Sequence, residues 1–164
     1  MLFAFPLALL PFFQWCDSSL LATSIRGQTL VFPSIEVVHV FGVTVLLGAI
    51  VTMDFRLLGF GLRRQSVPQL AKDLSPFMWG GFWVTILTGI PMFASEAMKC
   101  YGNLVFAPKM VVLALAILVS LTLHRKATAS DEAQVSQWVR KSAAWLSLVL
   151  WFGVGVGGRA VGFV

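Results

Sequence analysis

The sequence predicts an all-α integral membrane protein, a four-helix bundle with an N-terminal interfacial helix. Three observations carry that prediction. Of 164 residues, 58% are apolar and only 12% are charged, about half the 25% of a soluble domain. The mean hydropathy is +0.86. The few charges stand mostly at the borders of long apolar runs, as they do beside membrane spans. This composition excludes a disordered chain, a disulfide-framed mini-protein and a soluble enzyme with a charged surface. A net charge of +5 and a pI near 9.8 do not suggest a nucleic-acid partner, because such binders gather Lys and Arg on one face.

Two regions follow, an interfacial or periplasmic segment over 1–30 and a transmembrane domain over 31–164. Met1 to Phe13 is apolar but too short to span, is interrupted by Pro6 and Pro11, and lacks the basic start of a signal peptide. Asp17 is placed to cap a short helix that stops at Arg26-Gly27, with Leu20, Leu21 and Ile25 roughly on one side, suited to lie on the membrane surface. Val37 to Met53 carries no charge and predicts a first span near 35–55. Ser75-Pro76 reads as an N-cap and N1 pair that starts a second span near 76–97, after a short amphipathic helix over 62–75. Met110 to Leu123 is shorter than the roughly 20 residues a span needs. It reaches 107–125 only with Lys109 or His124 inside or snorkelling. The run from Ser142 onward holds one charge, Arg159, and predicts a fourth span near 138–162. Its Gly153 and Gly157 form a small-xxx-small pattern that permits close helix approach, or a flat face for a cofactor.

The loops predict orientation. Arg56, Arg63, Arg64 and Lys72 follow the first span, and Arg125, Lys126, Arg140 and Lys141 follow the third. The positive-inside rule puts these eight in the cytoplasm and both termini in the periplasm of a bacterial inner membrane. Arg26, Lys99, Lys109 and Arg159 then fall on the outer side, with Cys16 and Cys100. An oxidising periplasm allows these two cysteines a disulfide. No C-x-x-C pattern is present, so neither thiol redox chemistry nor a zinc site is indicated.

Ionisable groups inside a bilayer are costly unless paired or wetted. Glu36 and His39 share a face of the first span, Glu96 ends the second, Lys109 opens the third and Arg159 sits late in the fourth. All five fall at one depth near the outer leaflet, either as interfacial anchors or as a site. A neutral imidazole at His39 suits a haem iron or another metal, or a hydrogen bond across helices. Gly42, three residues on, would leave room for a porphyrin. Lys109 and Arg159 would neutralise its propionates, and Glu36 would orient the imidazole. Met92, at the same depth on the second span beside Pro91, is the candidate sixth ligand, or core filler. A five-coordinate iron, or a ligand from a partner subunit, is the alternative. His124 lies about 22 Å of helix from Lys109 and is expected near lipid headgroups. Copper is a second candidate metal, since Met92, Met98, Met110 and His39 are soft enough for Cu(I).

The stretch Ser34-Ile35-Glu36-Val37-Val38-His39-Val40-Phe41-Gly42, with Gly48 and Phe55-Arg56-Leu57-Leu58 after it, resembles the first helix of CopD/HemJ-like membrane proteins. Phe106-Ala107-Pro108-Lys109-Met110 leading to Leu123-His124 is similar to their third core helix. The ending Gly158-Arg159 is closer to an uncharacterised branch of small four-helix bacterial membrane proteins. The resemblance covers about residues 31–125 and, for that branch, most of the chain. It implies His39 as a haem b ligand and Lys109 as a functional residue. HemJ-like proteins oxidise protoporphyrinogen, but the tryptophan usual between their histidine and glycine is absent here, where Val45 to Leu47 stand. That departure counts against the oxidase activity more than against the haem. CopD-like proteins are associated with copper uptake.

The expectation is therefore a haem b protein of electron transfer, working with quinone or a periplasmic redox protein. The chain holds no Ser–His–Asp or paired-carboxylate set for other catalysis. A copper-handling protein and a cofactor-free structural subunit are the alternatives. Membrane lipid is an expected partner, and a homo-oligomer or a place in a larger complex stays open.

Overall fold

The structure, a computed structural model, describes residues 5–61, 65–124 and 136–163. The described residues are helical and include no strand. After a 3-10 turn at Leu7–Leu9 come α1 (Leu10–Asp17), α2 (Leu20–Arg26), α3 (Val31–Leu58), α4 (Val67–Ser95), α5 (Ala97–Gly102), α6 (Phe106–Val119) and α7 (Gln137–Val161). A π-helical turn, Ser120–His124, continues α6.

α3, α4 and α7 are each long and apolar enough to cross a membrane, with mean hydropathies of 2.1, 1.4 and 1.4 over their best windows. Little of those windows is covered by protein: Val37, Phe41, Trp83, Leu87 and Phe152 are all exposed. Helices this apolar and this uncovered require a lipid solvent. α6 with its π turn runs from Phe106 to His124, about 28 Å of helix, close to the ~30 Å hydrocarbon thickness. It fills the place of the span expected at 107–125.

α3 packs along α4 and against α7, and α7 packs on α6, while α4 and α6 hardly meet. They flank a cleft floored by α3 and α7. The upper end of the bundle is the one where α1, α2 and α5 sit. There Phe13, Cys16, Ala97, Cys100, Tyr101 and Phe106 form a buried cluster. The Phe93 ring of α4 stacks on the Phe106 ring of α6 at 5.7 Å and 13°, roofing the cleft. The lower core packs Met53 and Leu57 against Val67, Leu70, Ala143 and Ala144.

Three local expectations are corrected. α4 starts at Val67, not at 76, because the Ser66 side chain accepts from Gln69 N (3.3 Å) and Val67 and Leu70 bury into the core. The separate helix expected over 62–75 is thus the first part of α4, and 62–64 lie outside the described residues. Pro76, read as a starting residue, lies inside the helix. Asp17 does not cap α2. Ser19 does, accepting from Ala22 N at 3.2 Å, and Asp17 instead ends α1 and receives Arg26 Nη1 at 2.7 Å. On α2, Leu20 and Leu21 are exposed but Ile25 is buried with Ala22, so the three do not share one environment. Arg26 also donates to Ser95 O at 2.9 Å, which ties α2 to the upper end of α4.

Candidate functional site

His39 is half-buried on the upper part of α3. Its position is set by a tight α3–α4 seam. A Cβ added to Gly81 would fall 2.7 Å from Leu46 N and 2.9 Å from Gly42 O, so backbone meets backbone there. Two turns further up, Gly89 leaves space that the imidazole fills, its Cε1 lying 3.2 Å from where a Cβ would be.

The ring is oriented by a polar partner on the facing helix. His39 Nδ1 lies 2.9 Å from Thr88 Oγ1, and Thr88 Oγ1 donates its own proton to Val84 O at 2.6 Å. Thr88 can therefore only accept from the imidazole. That assigns the proton to Nδ1 and leaves a lone pair on Nε2, the tautomer of a metal-ligating histidine held through its other nitrogen. Thr85, one turn below, has a buried Oγ with no partner among the described residues.

Lys109 stands across the cleft at the start of α6. Its stem packs on α7, with Cβ and Cγ each 3.3 Å from a Cβ built on Gly157. Its ammonium sits 5.8 Å from the centre of the Phe106 ring. Lys109 and Glu36 are both close enough to act electrostatically on His39. Glu36 is exposed, one turn above His39 on α3. Met92 is half-buried on α4, one turn above Thr88.

Two members of the expected site are placed differently. Gly42 leaves no room for a porphyrin: a Cβ there would fall 2.7 Å from Val84 Cγ1, so α4 already occupies that face. Arg159 is exposed, and its guanidinium carbon sits 4.5 Å from the Phe163 ring centre rather than beside the histidine. The glycine face of α7 is likewise filled by α6, through Val112 on Gly153 and Lys109 on Gly157, which is the close-approach use of the small-xxx-small spacing. His124 ends the π turn at the opposite end of α6 from Lys109.

Cys16 and Cys100 are free thiols buried in one cluster. Burial pushes the Cys100 thiol up to about 11, against an opposing pull from Lys109, and burial raises Cys16 as well.

Several polar groups escaped the sequence reading. Thr85 and Thr88 passed as ordinary span residues, although they lie on one α4 face that recurs every three to four residues from Gly81 through Met92. Arg56, read as a loop charge after the first span, is buried with Asp54 at the lower end of α3, where Arg56 Nε and Nη2 donate to Gln65 O at 3.2 and 2.9 Å. Trp151 is buried and donates from Nε1 to Ser120 Oγ at 3.1 Å. Among the described residues no three of His, Cys, Asp and Glu gather as a metal-binding group.

Long apolar helices that leave this much apolar surface uncovered make this an all-α helical membrane protein. Within that class, the chain belongs to DUF6644, a family of unknown function that matches residues 12–164. No curated protein and no solved structure matches it.

Proposed function

We propose that this protein binds one haem b through His39 Nε2 near the outer leaflet and passes electrons in the bacterial inner membrane. The carrying observation is the committed Thr88 proton, which leaves Nε2 free to ligate. One further observation supports the group, and it lies away from the filled Gly42 face. Lys109 offers a cation across the cleft for a propionate, and a five-coordinate iron needs no other protein ligand. Met92, one turn above Thr88, is the candidate for a sixth. Haem supplies the redox chemistry, and the chain supplies ligation, charge and low dielectric. Both termini are assigned to the periplasm, on the eight basic residues that follow the first and third spans in the sequence against four elsewhere. Kinship with the CopD/HemJ-like proteins belongs to the same proposal, with protoporphyrinogen oxidation the lesser reading of it.

The test is an absorption spectrum of purified protein before and after dithionite, beside His39→Ala. A Soret band and a pyridine haemochrome in the parent, lost in the variant, are expected. A parent without either overturns the proposal. One observation favours copper as the second reading: a soft thioether, Met92, stands half-buried on α4 one turn above Thr88, the partner of the imidazole. Copper near one per chain with haem absent would select it. Neither cofactor, and no effect of His39→Ala, would leave a structural subunit.

A further inference from the structure

The lower half of the cleft holds a cavity of about 290 Å³. Its floor comes from α3 (Leu46, Ala49, Ile50, Met53) and Trp151 of α7, and its sides from α4 and from the α6 π turn. Its α4 and α6 sides belong to helices that hardly meet, which suits entry of a ligand sideways from the bilayer. The lining is mostly apolar, with three aromatic side chains, Trp79, Phe82 and Trp151, and two hydroxyls, Ser75 and Ser120.

The polar chemistry is specific. Ser120 Oγ accepts from Trp151 Nε1, which directs the Ser120 hydroxyl proton elsewhere. Ser120 opens the π-helical turn, and such turns occur frequently at functional sites. The cavity thus offers aromatic faces for a flat ring and a hydroxyl donor for a carbonyl oxygen, with the lipid phase beside it for a tail. It begins at Leu46, seven residues below His39 on α3, or about 10 Å.

We infer that this cavity is a binding site for the ring of a membrane quinone, with Ser120 as donor to one quinone carbonyl and Trp151 holding Ser120 in place. The functional meaning rests on the redox proposal above. The binding itself does not, and this separates the two tests.

The probe is an azido-substituted decyl-benzoquinone, photo-activated on the full-length protein in nanodiscs, with peptides mapped by mass spectrometry. Label is expected on 75–82 and 117–121, competed by unlabelled decyl-benzoquinone and not by added phospholipid. Ser120→Ala should weaken binding about five- to tenfold, the effect of losing one hydrogen bond. Ala49→Phe, which fills the floor, should abolish the label while the far-ultraviolet circular dichroism stays helical. Label spread over all lipid-facing helices, or label unaffected by Ala49→Phe in a folded sample, overturns the inference. A haem spectrum from the same sample reads the redox proposal separately: labelling without haem sinks that proposal and keeps this site, and haem without labelling does the reverse.

Discussion

Two seams of the bundle, α3 on α4 and α6 on α7, use glycine in different ways. At the α3–α4 seam, Gly81 faces backbone atoms of Leu46 and Gly42 below 3.0 Å of a would-be Cβ. At the α6–α7 seam, Gly157 faces the aliphatic stem of Lys109 at 3.3 Å and Gly153 faces Val112 Cγ1 at 3.4 Å. Backbone met below 3.0 Å cannot yield without moving a helix, whereas contacts at 3.3–3.4 Å ask a neighbour to give only a few tenths of an ångström. The first seam is rigid and carries His39. The second is soft and carries Lys109. The group that needs a fixed angle stands on the rigid seam, and the group that acts as a point charge stands on the soft one.

The largest effect comes from testing the seams against each other. Gly81→Ala should lower stability by more than about 2 kcal/mol, because overpacking there displaces a helix. Gly157→Ala should stay within about 1 kcal/mol, since the better helix propensity of alanine offsets a small shift of the lysine stem. Thermal unfolding of both variants in one detergent checks the pair. Equal losses would break the comparison.

The orienting role of the rigid seam is read next, through Thr88→Val. This keeps the side-chain shape and removes the acceptor of the Nδ1 proton. Losing such a supporting hydrogen bond should weaken haem retention about 10- to 100-fold, measured by titrating haem into apo-protein. Retention equal to the parent would show that packing against Gly89 alone holds the ring.

The same seams mark what was legible in the sequence. The spans were legible because lipid demands long apolar runs, and α3 and α7 fall near their expected bounds. The start of α4 was not, since Ser75-Pro76 read as a helix start and split the segment before it into a separate short helix; Lys72 and Asp73 lie in that segment. Their side chains are exposed, while the buried Val67 and Leu70 hold that segment in the helix. His39 stood out as an ionisable group in a span. Thr88, its partner 49 residues away, became visible only with the register of α3 against α4. Gly42 was misread for the same reason: a missing side chain means space or contact, and only the neighbouring helix decides which.

A smaller effect sharpens the account of the rigid seam's upper end. Arg26→Ala removes hydrogen bonds to Asp17 Oδ1, Asp17 O and Ser95 O, at a cost of about 1–2 kcal/mol. It should act locally, loosening α2 from α4. Hydrogen exchange at the amides of 22–26 should speed up while that of 42–50 stays unchanged. Faster exchange in both segments would make α2 part of the seam rather than a clasp on its end.

The smallest effect probes the soft seam through Cys100. Burial raises this thiol from an ordinary value of 9.0 to about 11, and the Lys109 charge pulls it partly back. The folded chain therefore keeps its proton where the unfolded chain would lose it. The contribution to stability is complete below about pH 9 and is lost as pH climbs toward 11. Alkylation by a small maleimide should be slow at neutral pH and accelerate across that interval. Lys109→Met removes the opposing charge and should move the midpoint higher still. If the ammonium roamed freely on its soft seam, solvent would screen it, and the midpoint would not move. A shift would show that the seam, although soft, holds the Lys109 charge in place beside Cys100.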